Sequence, residues 1–109
     1  MTVIHKDLAS GRWFTLSLAQ QLGNIGSEVE RALSFQERND KARFNSAYDR
    51  MLELFDLSLS DKRWRGAKLR EIARLREDLG RLLYENFSEE DKRATRNYFL
   101  YFGILAQAR

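Results

Sequence analysis

The stretch TLSLAQQLGNIGSEVERALSFQ, Thr15 to Gln36, decides the fold. Advanced by 100° per residue, its Leu18, Leu22, Ile25, Val29, Ala32 and Leu33, with Phe14 just before it, fall in an arc of about 100°. That is the stripe of an amphipathic helix. Gly23 and Gly26 interrupt it, and each glycine costs about 1 kcal/mol relative to alanine in a helix interior. Ser27 with Glu30 even has the spacing of a capping box, where a fresh helix would start. The apolar phase does not slip across the two glycines, however, and a break would reset it. One continuous helix over 15–36 is therefore expected. Ala19, Gly23 and Gly26 then form a small-residue strip beside the apolar face, suited to close packing by a neighbouring helix. A ligand or a second subunit approaching the backbone is the alternative.

The same helical period runs through the rest of the chain. Over 40–58 the stripe is Phe44, Ala47, Tyr48, Met51 and Phe55, continued by Leu59 and widened by Leu52 and Leu54. Ser60 or Asp61 is placed to cap the next helix, expected over 61–86 with Leu69, Ile72, Leu75, Leu79, Leu82 and Leu83 inward. Arg76 projects into that apolar arc and needs a carboxylate, because a desolvated lone charge is expensive. Glu28 is the expected partner, with Glu53 as the alternative. Ser88 and Asp91 open a last helix over 89–108, with Glu89 and Glu90 at the positive end of its dipole. Its core face is read as Ala94, Tyr98, Tyr101, Phe102 and Leu105. Leu100 and Ile104, with Phe99 close by, then face outward and are read as a contact with another subunit. Ahead of Thr15, HKDLASGRWF suggests a helical turn ended by Gly11, with Trp13 and Phe14 covering the end of the bundle.

Four helices joined by short loops form one domain over residues 1–109. The fold class is all-α, an antiparallel up-down four-helix bundle, expected to be oligomeric. The chain has 109 residues, 43% of them hydrophobic and 32% charged, enough for one core without metal or disulfide staples. Proline is absent, which favours uninterrupted helices. Cysteine is absent too, which removes thiolate chemistry and fits a reducing cytoplasm. The beginning, MTVIHKDLASGRWF, has no apolar core of a signal peptide, and no apolar run reaches the length of a bilayer span. A cytoplasmic protein with no membrane partner is expected.

The charge is unevenly placed. Residues 62–81 hold eight cations and three anions, a surplus of five in a chain whose net charge is only +3, so the remainder is net negative. Arg63, Arg70, Arg74 and Arg81 share one azimuth on the third helix within about 40°. They would span about 27 Å at 1.5 Å per residue. Such a row can follow a phosphate backbone, and Trp64, between two arginines, can stack a base. Against this, Glu71, Glu77 and Asp78 lie at pairing distance along the same helix, where a solvated face is the plain reading. The expected partners are the chain itself, RNA or DNA, or an acidic protein.

Catalytic chemistry finds little support. A single histidine, His5, rules out His-x-x-x-His zinc sites and the Glu-x-x-His pairs of di-iron bundles. Gly23 and Gly26 complete no phosphate loop. One enzymatic reading survives: Glu37-x-x-Asp40 and Glu53-x-x-Asp56 resemble the paired acidic motifs of MazG-type nucleotide pyrophosphohydrolases, which hold Mg²⁺. Asp40 departs from the glutamate of that family, and the first pair falls at a helix end. No catalytic residue, metal or cofactor is assigned.

RWFTLSLAQQLGNIGSEVERAL, LELFDLSLSDKRWR, KLREIARLRE and YFLYFGILAQAR together resemble a group of small bacterial helical proteins to which no activity is attached. The resemblance implies a helical fold and supplies no site residues. In architecture alone the chain is also similar to small basic four-helix bundles that form rings and accompany RNA, with no motif in common.

Overall fold

Ser17 starts the first long helix. Its Oγ accepts from the Gln20 amide at 3.1 Å, while the Gln20 side chain accepts from the Ser17 amide at 2.8 Å. This reciprocal capping box satisfies two backbone donors and fixes the start of α1, Leu18–Glu37. The helix runs unbroken through Gly23 and Gly26. The protein is described by a computed structural model over residues 11–85 and 88–107. His5 and the helical turn expected before Gly11 lie outside the described residues, as do residues 86–87 and 108–109.

Asn39 ends α1. It takes a left-handed φ of 57°, and the Asp40 amide reaches back to the Phe35 carbonyl at 2.9 Å while that of Asn39 bonds Gln36 at 3.1 Å. These two bonds are a Schellman close, which an asparagine tolerates better than most residues. Asp40 at once caps α2, Lys41–Leu59, by accepting from the Arg43 amide. The third helix, α3, is Ala67–Tyr84, and the fourth, α4, is Glu89–Gln107. Ser88 accepts from the Asp91 amide, and Glu89, Glu90 and Asp91 fill the first turn, where carboxylates oppose the helix dipole.

Among the described residues the fold is all-helical, with four α-helices, one short 3₁₀ turn over Arg12–Thr15 and no strand. No described helix is long and apolar enough to cross a membrane. The chain is compact, with a radius of gyration of 13.6 Å, and its helix contacts are compatible with a four-helix bundle. Helix α1 packs against both α2 and α4, and α3 packs on α2. The core joins Leu22, Ile25, Val29 and Leu33 of α1 to Ala47, Met51 and Phe55 of α2 and to Ile72, Leu79 and Leu83 of α3. Trp13 and Trp64 complete it.

Two expectations change here. Helix α3 begins at Ala67, not at Asp61, so Arg63 and Trp64 lie in the connection before it. Gly66, at φ 57°, turns the backbone there in a way that a side-chain-bearing residue resists. Helix α4 is also rotated from the expected face. Phe99, read as a subunit contact, is buried against α1, while Tyr101 and Leu105, read as core, are exposed. The cause is Gly26: a Cβ on it would stand 2.6 Å from the Phe99 Cβ, so only glycine admits the phenylalanine at this depth. Arg96 pins the seam farther along by pairing with Glu30 at 2.7 Å and Glu37 at 3.3 Å.

The two glycines of α1 should therefore respond oppositely to alanine. Gly26→Ala forces Phe99 outward and is expected to destabilise by about 1–3 kcal/mol despite alanine's better helix propensity. At Gly23 a Cβ meets the Gly103 Cα at an ordinary 3.7 Å, so Gly23→Ala is expected to be neutral or stabilising, by up to about 1 kcal/mol. Urea denaturation of the two variants decides, and equal effects would remove the packing account of Gly26.

Candidate nucleic-acid interface

The expected arginine row depends on the connection between α2 and α3. That connection is organised around Gln21, which is fully buried on α1. Its Nε2 donates to the Trp13 carbonyl and to Asp61 Oδ2, each at 3.0 Å. Its Oε1 accepts from the Ser58 hydroxyl and from the Trp64 indole N–H, each at 2.8 Å. Ser58 in turn accepts from the Trp13 indole at 3.1 Å. Two donors and two acceptor positions exhaust a carboxamide, so Gln21 is fully satisfied without water.

Asp61 extends this cluster to the surface. It is buried, and its carboxylate accepts from Gln21 and from the Arg63 amide, Nε and Nη2. The Arg63 guanidinium, ahead of the opposing effect of burial, holds the Asp61 pKa down at about 2. Arg63 also donates to the Leu16 carbonyl at 2.6 Å and lies over the Trp64 ring, 4.4 Å from its centroid. Its charge is thus spent inside the protein. Trp64 is only 9% exposed, with its N–H on Gln21, and it forms part of the core instead of a platform for a base.

The other three arginines of the row behave differently from one another. Arg74 is bracketed by Glu71 at 2.7 Å and Asp78 at 3.0 Å. Arg81 lies 3.8 Å from both Asp78 and Glu85. Arg70 is exposed and makes no ion pair among the described residues. Lys62, Arg65 and Lys68 are exposed as well and likewise have no carboxylate partner among the described residues. These three belong to the basic stretch of the sequence but not to its four-arginine row. What remains is a short cationic edge, Lys62, Arg65, Lys68 and Arg70, around the start of α3. That start has no acidic residue in its first turn and no side-chain cap, so the positive end of the helix dipole adds to the edge.

The expected pair of Glu28 and Arg76 does not form. Helix α3 packs on α2, so Arg76 meets Asp56 across that seam at 2.8 Å. Glu28, buried on α1, bonds Arg31 one turn on, and its Oε2 has no hydrogen-bond partner among the described residues. The acidic motifs of the hydrolase reading are also dispersed. Glu37 pairs with Lys92 and Arg96, Asp40 caps α2, and Asp56 holds Arg76. Among the described residues no three carboxylates or histidines converge on a point where a metal would sit. Of the three residues read as a subunit contact, Leu100 and Ile104 are exposed and Phe99 is buried.

Two measurements test the Gln21–Asp61 cluster. Gln21→Leu strands the Trp64 N–H and a carbonyl in a dry site and is expected to cost about 3 kcal/mol in urea denaturation. Because the Asp61 pKa is depressed from 3.8 to about 2, its contribution is complete above pH 4 and is lost as pH falls toward 2. The loss is at most about 2 kcal/mol, reduced by the solvent that reaches the exposed side of Arg63. Asp61→Asn is expected to be less stable at neutral pH and to fall less steeply between pH 4 and 2. Parallel curves for the two proteins would remove Asp61 from this role. Comparison with protein-family models, curated proteins and solved structures finds no match to this chain.

Proposed function

We propose that the chain is a non-enzymatic, homo-oligomeric, antiparallel up-down four-helix bundle that binds nucleic acid through the cationic edge at the start of α3. Cross-helix pairs support the up-down order: Gln21 with Ser58, Tyr48 with Gly80, and Glu37 with Lys92. In each, a position toward one end of a helix meets a position toward the opposite end of its neighbour, as short connections require. Self-association draws its support from the outward face of α4, where Leu100 and Ile104 stay uncovered.

One observation carries the nucleic-acid reading. Among the described residues, the basic stretch divides into cations that have a carboxylate partner and cations that have none. Arg63, Arg74, Arg76 and Arg81 belong to the first group, with Asp61, Glu71, Asp78, Asp56 and Glu85 as partners. Lys62, Arg65, Lys68 and Arg70 belong to the second and fall within nine consecutive residues. Unneutralised cations clustered on so short a segment favour a polyanion, and a phosphate backbone gains by releasing its counterions to them. The contact surface is thus shorter than the four-arginine row and displaced toward the α2–α3 connection. An oligomer would repeat it.

The test is salt dependence. Lys68→Gln with Arg70→Gln removes two phosphate contacts and should flatten the plot of log affinity against log salt by roughly 1.4–1.8, depending on strandedness. Arg74→Gln with Arg81→Gln should leave that slope nearly unchanged. Absence of RNA and DNA binding at low salt ends the nucleic-acid reading. If an acidic polypeptide competes while neither nucleic acid binds, the edge is a protein-binding surface.

A further inference from the structure

We infer that two copies of this chain meet face to face across the second half of α4, with each copy's Leu100 and Ile104 seated against the other's Gly103. The inference rests on the self-association proposed above and specifies its geometry. Leu100, Tyr101, Ile104 and Leu105 are 62%, 59%, 59% and 41% exposed. They form two i,i+4 pairs one turn deep, side by side on the outward face. The first half of the same face carries Glu90, Arg93 and Asn97, all exposed, so the apolar surface is confined to its end.

Gly103 is the second observation. A helix-interior glycine costs about 1 kcal/mol relative to alanine. At Gly26 the fold accounts for that cost, because Phe99 occupies the space. At Gly103 it does not: a Cβ there would meet nothing within 4 Å. The missing side chain leaves a notch in a groove of about 270 Å³ between α1 and α4, where Gly23, Leu100 and Gly103 line one end and the mutually neutralising Glu30–Arg96 pair lines the other. Knob and notch are therefore neighbours on one surface. That arrangement is self-complementary under a twofold axis, where the same patch serves both partners.

Charge and area favour a second copy as the occupant. A twofold contact sets like against like, so a charged face would repel itself. From Asn97 through Gln107 there is no ionisable charge at neutral pH, in a chain that is 32% charged. Two such patches with their groove margins bury on the order of 1,000 Å², the lower end of what a specific interface needs.

Light scattering from low to high micromolar concentration tests the inference, with circular dichroism to confirm that each variant is folded. The wild type should approach twice the chain mass. Ile104→Asp should weaken the dimer roughly tenfold or more. Gly103→Leu is the decisive variant. It adds apolar surface and helix propensity, so a merely sticky face would associate more tightly, whereas a filled notch should separate the copies by a similar factor. Tighter association of Gly103→Leu overturns the seat and leaves self-association standing. A wild-type monomer throughout the range overturns both.

Discussion

A single buried carboxamide holds the tip of this bundle together. Gln21 joins the 3₁₀ turn through the Trp13 carbonyl, α2 through Ser58, and the α2–α3 connection through Asp61 and Trp64. Each of those groups would be costly to bury alone, because an unpaired polar group in a dry interior forfeits its hydration. Satisfied together, they leave the chain one way to turn from α2 into α3. Trp64 must enter the core to reach Gln21, and Asp61 must lie beside it. Arg63 is then drawn onto Asp61. The surface charge of the molecule is thus decided partly from within, since the cluster removes the first cation of the row.

That dependence separates what the residues disclose from what they do not. Helix number, the unbroken course of α1 and the core of α2 are legible because 3.6-residue periodicity is a local property that survives two glycines. Pairing of Arg74 with Glu71 and Asp78 is legible for the same reason, as spacings of three and four along one helix. Trp64 is illegible by that measure. Its azimuth places it at the edge of an apolar arc, and only Gln21, 43 residues away, decides that it turns inward. Gln21 itself gives no sign, being one polar residue in a helix with several.

The orientation of α4 shows a second limit. Phe99, Leu100, Tyr101, Phe102, Ile104 and Leu105 leave hardly any direction without an apolar residue, so periodicity has no phase to report. The phase is set by Gly26 on another helix, whose bare backbone makes room for Phe99. Once that ring is in place, the remaining apolar residues are assigned to core or solvent by geometry alone. Leu100 and Ile104 fall outward on either account. Tyr101 and Leu105 join them only because the helix is turned, which widens the outward face beyond what the sequence reading anticipated.

Helix α4 buries Phe99 alone, against eight buried residues on α1. Its other fastenings include the ion pairs of Lys92 and Arg96 with α1 and the Tyr98 hydroxyl on Glu71. An element with so few buried side chains is expected to open at a smaller free-energy cost than α1. Its amide protons would exchange with solvent ahead of those of α1, and a detached α4 would uncover the glycine channel that receives Phe99. Any partner that grips the outside of this helix therefore also closes the interior beneath it, because holding the last helix shut protects the channel on α1.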